Sequence, residues 1–416
     1  MKISDYPQTE IIENDDVFLV NGKNGTRTAR IKEKLATNLT NGDGMGSVML
    51  KTAAGAKGEN AVATGLNTQA NGNNSFSANY NSKADGNGAF AANKGRANGL
   101  FSFAANEGIA AHESAFAANG GTANEYRSFA ANDGVATGTS SFAANDGTAT
   151  AYHSFAANKG MVNGKDAFAA FAANKGTVNG VKAFAANEGV AVQDNSFAAN
   201  KGQTNGHYSF AANNGVAHDY MTFAANLANA KGEASFAANV GTASGYGSFS
   251  ANKGTASGEG SFVANVGKAA GQGAFAANIG IANSEVSFAA NVGKANNYGT
   301  FAANAGTASG EGAFAANGGI AKGFGAFAAN AGIATGIAQF AHGKYNIEDT
   351  QNKYAHIIGN GSSDTQRSNA HTLDWQGNAW YAGNIEIKNS ITLASPNGTK
   401  YILSVSNNGE LIINKK

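Results

Sequence analysis

Phenylalanine sets the apolar rhythm of this chain. It recurs at 90, 103, 116, 129, 142, 155 and 168, restarts at 171, and continues through 184 and 197 to 340, with every step in both series 13 residues. The surrounding unit reads Ser/Ala-Phe-Ala-Ala-Asn-x-Gly-x-Ala-x-Gly-x-x, as in residues Ser248 to Gly260, and upstream the step is 14, with Val48, Val62, Phe76 and Phe90 in register. This gives 23 units with one three-residue insertion at Ala167 to Phe171. A unit this short and this rich in Gly and Asn cannot hold a helix-turn-helix, so the pattern predicts an all-β β-solenoid in which each coil has two brief strands and two turns. At the inter-strand spacing of about 4.8 Å, 23 coils would stack to a rod roughly 110 Å long.

Strand alternation puts Phe and the second Ala on one face, and the leading Ser/Ala and the first Ala on the other. From Ser75 to Phe327 no charge occupies any of these positions. Both faces therefore read as buried: one inside its own coil, the other against a further copy of the chain. The turn that follows carries Asn at 20 successive positions, from Asn79 to Asn330, and the amides are expected to stack in a ladder that pins the register. Phe103, Phe116 and Phe129 with Asn106, Asn119 and Asn132 represent the two structural ladders. Four turn residues in an early coil (Leu66 to Gln69) against three later (Lys94 to Arg96) place the shortening from 14 to 13 in this turn.

The ends break the pattern. In residues 1–40, Asp15 to Val20 reads as a strand, Asn21 to Gly25 as a turn and Thr26 to Ile31 as a return strand, a small hairpin. The repeats span 47–343. Residues 344–416 bring both Trp residues and a tail whose Asn397-Gly398 and Asn408-Gly409 dipeptides punctuate a predicted β-meander.

Composition narrows the function classes. Of 416 residues, 56 are Gly, 2 are Pro and none is Cys, and 14% are charged, the profile of a repetitive scaffold. The net charge of +1 comes without a basic patch, so no nucleic-acid partner is expected. No apolar run predicts membrane insertion, and the first residues lack the apolar stretch of a secretory signal. Without Cys there is no thiolate metal site. None of the seven His residues is paired at helical metal-ligand spacing; they read as surface residues, with His356 and His371 flanking the Trp-bearing segment. No nucleophile elbow, phosphate loop or acid cluster appears, so no enzyme activity and no cofactor are expected.

Binding chemistry has better candidates. Tyr126, Arg127, Tyr152, His153, His207, Tyr208 and Tyr220, joined by Tyr246, Tyr298 and Phe324, gather at the second turn, where rings beside polar groups could stack on sugars; ordinary turn decoration is the competing reading. Trp375 and Trp380 read equally as receptor contacts or core. The position after the ladder Asn is charged in early coils (Lys94, Glu107, Lys201) and apolar in later ones (Leu227, Val240, Val266, Ile279, Val292), which reads as a solvated stretch followed by a stripe packed under a neighbour.

Residues Ala61 to Asn74, Ala-Val-Ala-Thr-Gly-Leu-Asn-Thr-Gln-Ala-Asn-Gly-Asn-Asn, resemble the 14-residue head repeat of YadA-type trimeric autotransporter adhesins. That resemblance implies a trimeric left-handed β-roll, although the Phe-Ala-Ala-Asn strand departs from the family's. Asp5-Tyr-Pro with Asp-Asp-Val-Phe-Leu-Val, and the segments Lys353 to Gly361 and Arg367 to Gly383, are similar to the ends of tail-fibre proteins of phages and prophages of Gram-positive gut bacteria. What the resemblance implies is a homotrimeric tail fibre in a virion, made in the host cytoplasm. Its N-terminus would attach to a tail or baseplate component, and its binding partner would be a host surface glycan or protein. The alternatives are a bacterial surface trimeric adhesin at the cell surface and, further off, a tail depolymerase.

Overall fold

The computed structural model describes residues 17–22, 25–30, 39–50, 55–164 and 167–416. Two compact units divide the chain, Met1–Gly254 and Thr255–Lys416. All regular structure in the described residues is strand.

The first unit opens with the expected hairpin. Val17–Gly22 pairs antiparallel with Gly25–Arg30, and the strands run further than the sequence suggested, with Asn21 opposite Thr26 and Gly22 opposite Gly25. Residues 1–16, 23–24 and 31–38 of the expected attachment segment lie outside the described residues. The coils follow. Each has a three-residue strand, such as Phe103–Ala105, a first turn, a two-residue strand, such as Ile109–Ala110, and a second turn. Both strands pair in parallel and in register with the next coil: Phe103 with Phe116 and Ala104 with Ala117, then Ile109 with Thr122 and Ala110 with Ala123. Sixteen such first strands lie in the first unit and seven in the second.

The narrowness of the coil dictates its inward residues. Ala104 and Ala110 are fully buried and Ser102 nearly so, and the largest side chains taken at such positions are Val162, Val178 and Val263, apart from Gln339 in the last coil. Each buried Ser must find an acceptor at once, and Ser102, Ser141 and Ser209 donate from Oγ to the carbonyls of Gly99, Gly138 and Gly206 at 2.5–2.6 Å. Phe points the other way. Parallel in-register strands set identical rings about one strand spacing apart, and Phe103, Phe116, Phe129 and Phe142 stack with centroids 4.7 Å apart and planes within 3°. In the single chain this outward face is only half covered.

The first turn is as the sequence predicts. Asn amides form a ladder, each Nδ2 donating to the next Oδ1 at 2.8–3.0 Å from Asn93 to Asn158 in the first unit, and at 3.0–3.2 Å from Asn265 to Asn330 in the second. Asn93 and Lys94 both take left-handed angles, φ 46° and 63°. Gly95 follows because a Cβ there would lie 2.3 Å from the carbonyl oxygen of Ala104 in the next coil. Between strands the 14-residue coil spends residues 79–82 and the 13-residue coil only 93–95, so the shortening does fall in this turn.

One expectation is corrected. Phe168 belongs to the 13-residue series by spacing, yet Phe155 pairs with Phe171, and Phe168 lies in the second turn. The extra residues enlarge that turn, between Met161–Val162 and Phe171–Ala173, where length can be absorbed without breaking either ladder. Residues 165–166 lie outside the described residues.

In the second unit the coils end on a polar cap. Asn346, fully buried, accepts the Ile333 N–H on Oδ1 at 2.6 Å and donates to the Ile333 carbonyl at 2.9 Å. One amide thus stands in for the strand of a further coil. Gln339 replaces the usual small residue and donates to Asp349 Oδ2 and the Tyr354 carbonyl. Tyr354–Asn360 then pairs parallel with Phe340–Lys344 and antiparallel with Asn369–Asp374, which pairs with Ala379–Tyr381. The predicted meander is present as a separate sheet of Ile391–Ala394, Lys400–Val405 and Leu411–Lys415, turning at Gly398 and Gly409 with φ 80° and 81°.

Candidate functional site

Every coil repeats its Phe, its buried small residues and its ladder Asn; the side chains that differ lie after the ladder Asn, at the outward position of the short strand, and in two adjacent columns at the second turn. In the first unit the aromatic candidates fall there in clusters. The Arg127 guanidinium lies 4.7 Å from the centre of the Tyr126 ring. Tyr152 and His153 stack at 4.3 Å, and Phe168, carried by the enlarged turn, adds a third ring 5.7 Å from Tyr152 and 5.2 Å from His153. Tyr208 and Tyr220 meet edge to face at 5.6 Å, and His207 Nδ1 lies 3.8 Å from Asp194 Oδ2. Tyr152, Tyr208, Tyr220 and Phe168 are all exposed. Tyr246 is exposed in the same unit, and Tyr298 and Phe324 in the second. Phe168 is the member that sequence reasoning missed, since its place in the Phe series concealed its place in a turn.

These clusters carry a conformational cost. Arg127, His153, Tyr208 and Met221 all have φ between 53° and 56°; the equivalent position in the second unit is Gly at 260, 273, 299, 312 and 325, and Val286 and Ala338 at φ 52° and 51°. A bulky residue held left-handed costs about 1–2 kcal/mol, and such outliers gather where side chains do work beyond folding. The first turn repeats the pattern. Its charged column in the first unit includes Lys94, whose Nζ lies 2.6 Å from Glu107. That hydrogen bond, with the opposite charges, raises the lysine and lowers the glutamate relative to their ordinary values. In the second unit the column holds Val266, Ile279 and Val292, exposed and left-handed at φ 67–68°.

The Trp residues are not core: Trp375 is 46% and Trp380 55% exposed. The Trp375 indole N–H donates to the Asn352 carbonyl at 3.0 Å. Trp380 borders a concave pocket lined with Tyr354, Asn360, Asn369, Asp374 and Asn378. Hydrogen bonds from the Asn378 side chain and backbone hold the Asp374 carboxyl below its usual range.

Three of the His residues that read as unrelated are neighbours. His342 Nε2 lies 3.1 Å from His356 Nε2, and the His356 ring is 5.4 Å from that of His371. Register across Phe340–Lys344, Tyr354–Asn360 and Asn369–Asp374 brings them together, which no sequence spacing could reveal. Burial first, then the nearby charges of His342 and His371, lower the His356 pKa. Among the described residues no group of three His, Cys, Asp or Glu is placed to hold a metal ion, and no helix is long and apolar enough to cross a membrane. Neither protein-family models nor curated proteins give any match to this sequence.

Proposed function

We propose that this protein is the receptor-binding fibre of a phage or prophage-derived particle, a homotrimer that grips a host-surface glycan by binding without chemistry. One observation carries the reading: the second turn gathers exposed aromatic rings beside polar groups, with His153 and Tyr208 held there on left-handed backbone. Sugar faces stack on such rings while hydroxyls accept hydrogen bonds from the neighbouring Arg and His side chains and donate to Asp. The Trp380 pocket, with its ring among amides and a carboxylate, offers the same chemistry in the second unit. The half-covered Phe column supports the trimer, since sister chains with the same column would cover it, and three copies multiply weak contacts by avidity. The N-terminal hairpin is the segment that would join the particle.

The test is binding of the full-length protein to isolated host envelope glycans. The double variant Tyr152→Ala/Phe168→Ala should weaken binding about tenfold, the loss of about 1.4 kcal/mol, with the oligomer unchanged. Unaltered binding by both this variant and Trp380→Ala would refute the glycan reading, and release of oligosaccharide from the envelope would indicate an enzyme.

A further inference from the structure

The second unit ends in a sheet that, among the described residues, joins no strand outside itself. Its register sets Ile391, Leu403 and Ile413 side by side, with Leu393 opposite Tyr401 and Val405 opposite Leu411. Residues directly opposite share a face and alternate along each strand, so these seven form one apolar face whose one charge, Lys415, lies at its edge. The other face is mixed, with Thr392, Lys400, Ser404 and Asn414 among Ala394, Ile402 and Ile412. Leu393, Val405, Leu411 and Ile413 are more than half exposed on the apolar side. Ile385 and Ile387, also exposed, border it in a groove with Leu403, Val405 and Leu411.

A three-stranded sheet of such short strands holds in water only when its apolar face is covered. Seven side chains of this kind present on the order of 400 Å² of apolar surface, beyond what a soluble monomer usually leaves open without a purpose. We propose that the cover is the same face of the sister chains, three sheets closing on one another as a terminal clamp that sets the register of the trimer. The inference rests on the trimeric reading above. The chemistry favours a copy over a foreign partner. The face offers one edge charge, Lys415, and one hydroxyl, on Tyr401, against six wholly apolar side chains, too little polarity to address a charged surface, while like against like matches apolar surface to apolar surface and comes in fixed stoichiometry.

The absence of Cys makes the test direct. In the full-length protein, Ile413→Cys should form interchain disulfides on mild oxidation, and Ser404→Cys, on the opposite face, should not. Leu411→Asp/Ile413→Asp should reduce the mass by light scattering from about three times 41.9 kDa to a single chain, or abolish return of the trimer after denaturation, with Ser404→Asp as control. Far-ultraviolet circular dichroism checks that the coils persist. A wild-type trimer in which Ile413→Cys does not cross-link and the Asp variant still assembles would overturn the clamp and leave the trimer standing. A single-chain wild type would overturn both, and flotation of that single chain with phosphatidylcholine vesicles would assign the face to a membrane.

Discussion

The two turns of each coil are built from the same short vocabulary and do opposite things. The first turn is closed by its Asn amide, which donates to one neighbour and accepts from the other; glycines lie beneath the next coil's carbonyls in both turns, as Gly108 and Gly99 do. Among the described residues the second turn has no continuous side-chain ladder, and it takes His153 in one coil and Gly247 in another without loss of register. It also takes an insertion, at Phe168, while the strands on either side still pair as Phe155 with Phe171. Register is therefore held at one edge of the coil, and the other edge is released for display.

That contrast can be broken most severely at the first turn. Gly108→Val would drive a Cβ to 2.5 Å from the Ala117 carbonyl oxygen, and denaturant unfolding should show a loss of about 3 kcal/mol or more. Thr139→Val in the second turn should stay within about 0.5 kcal/mol, and equal losses at the two sites would erase the distinction. Asn145→Ala should come next, at about 2 kcal/mol, combining lost ladder hydrogen bonds with an L-residue held left-handed. Asn145→Gly should recover part of that, because only the hydrogen bonds are lost. At the second turn the sign should reverse: His153→Gly relieves a left-handed backbone and should stabilise by about 1 kcal/mol while weakening glycan binding. If it destabilises, the strain reading is wrong.

The smallest expected effect is one of pH. His356 has its folded-state pKa held below the ordinary 6.5, chiefly by burial, so folding favours the neutral ring. Its contribution is fully present above 6.5 and is lost as pH falls below that value, because the unfolded chain takes up the proton first. Trp fluorescence followed across that range should show a mild destabilisation of the strands around His356, and His356→Gln should flatten it.

Much of this fold is legible in the sequence because the repeat writes its own constraints many times over. A 13-residue period with Asn and Gly at fixed places leaves little besides a coil with one laddered turn; the one insertion within that period maps onto the second turn, while the change from 14 to 13 falls in the first. What escapes is whatever depends on partners across strands. His342, His356 and His371 are separated by 14 and 15 residues in sequence and meet only through sheet register. The cap by Asn346 is likewise invisible: it follows Gly-Lys-Tyr where the ladder residues follow Phe-x-Ala, but nothing local says that its amide will meet the Ile333 backbone. Periodicity misled once, at Phe168, where an insertion happened to preserve the spacing of 13.

Everything functional proposed for the chain depends on the half-covered Phe column and the open terminal sheet finding their cover in sister copies. Light scattering on the purified full-length protein measures this most directly. The account predicts a particle of about 126 kDa, three times 41.9 kDa, that does not dissociate on dilution. A stable, cooperatively folded species of 41.9 kDa would contradict it.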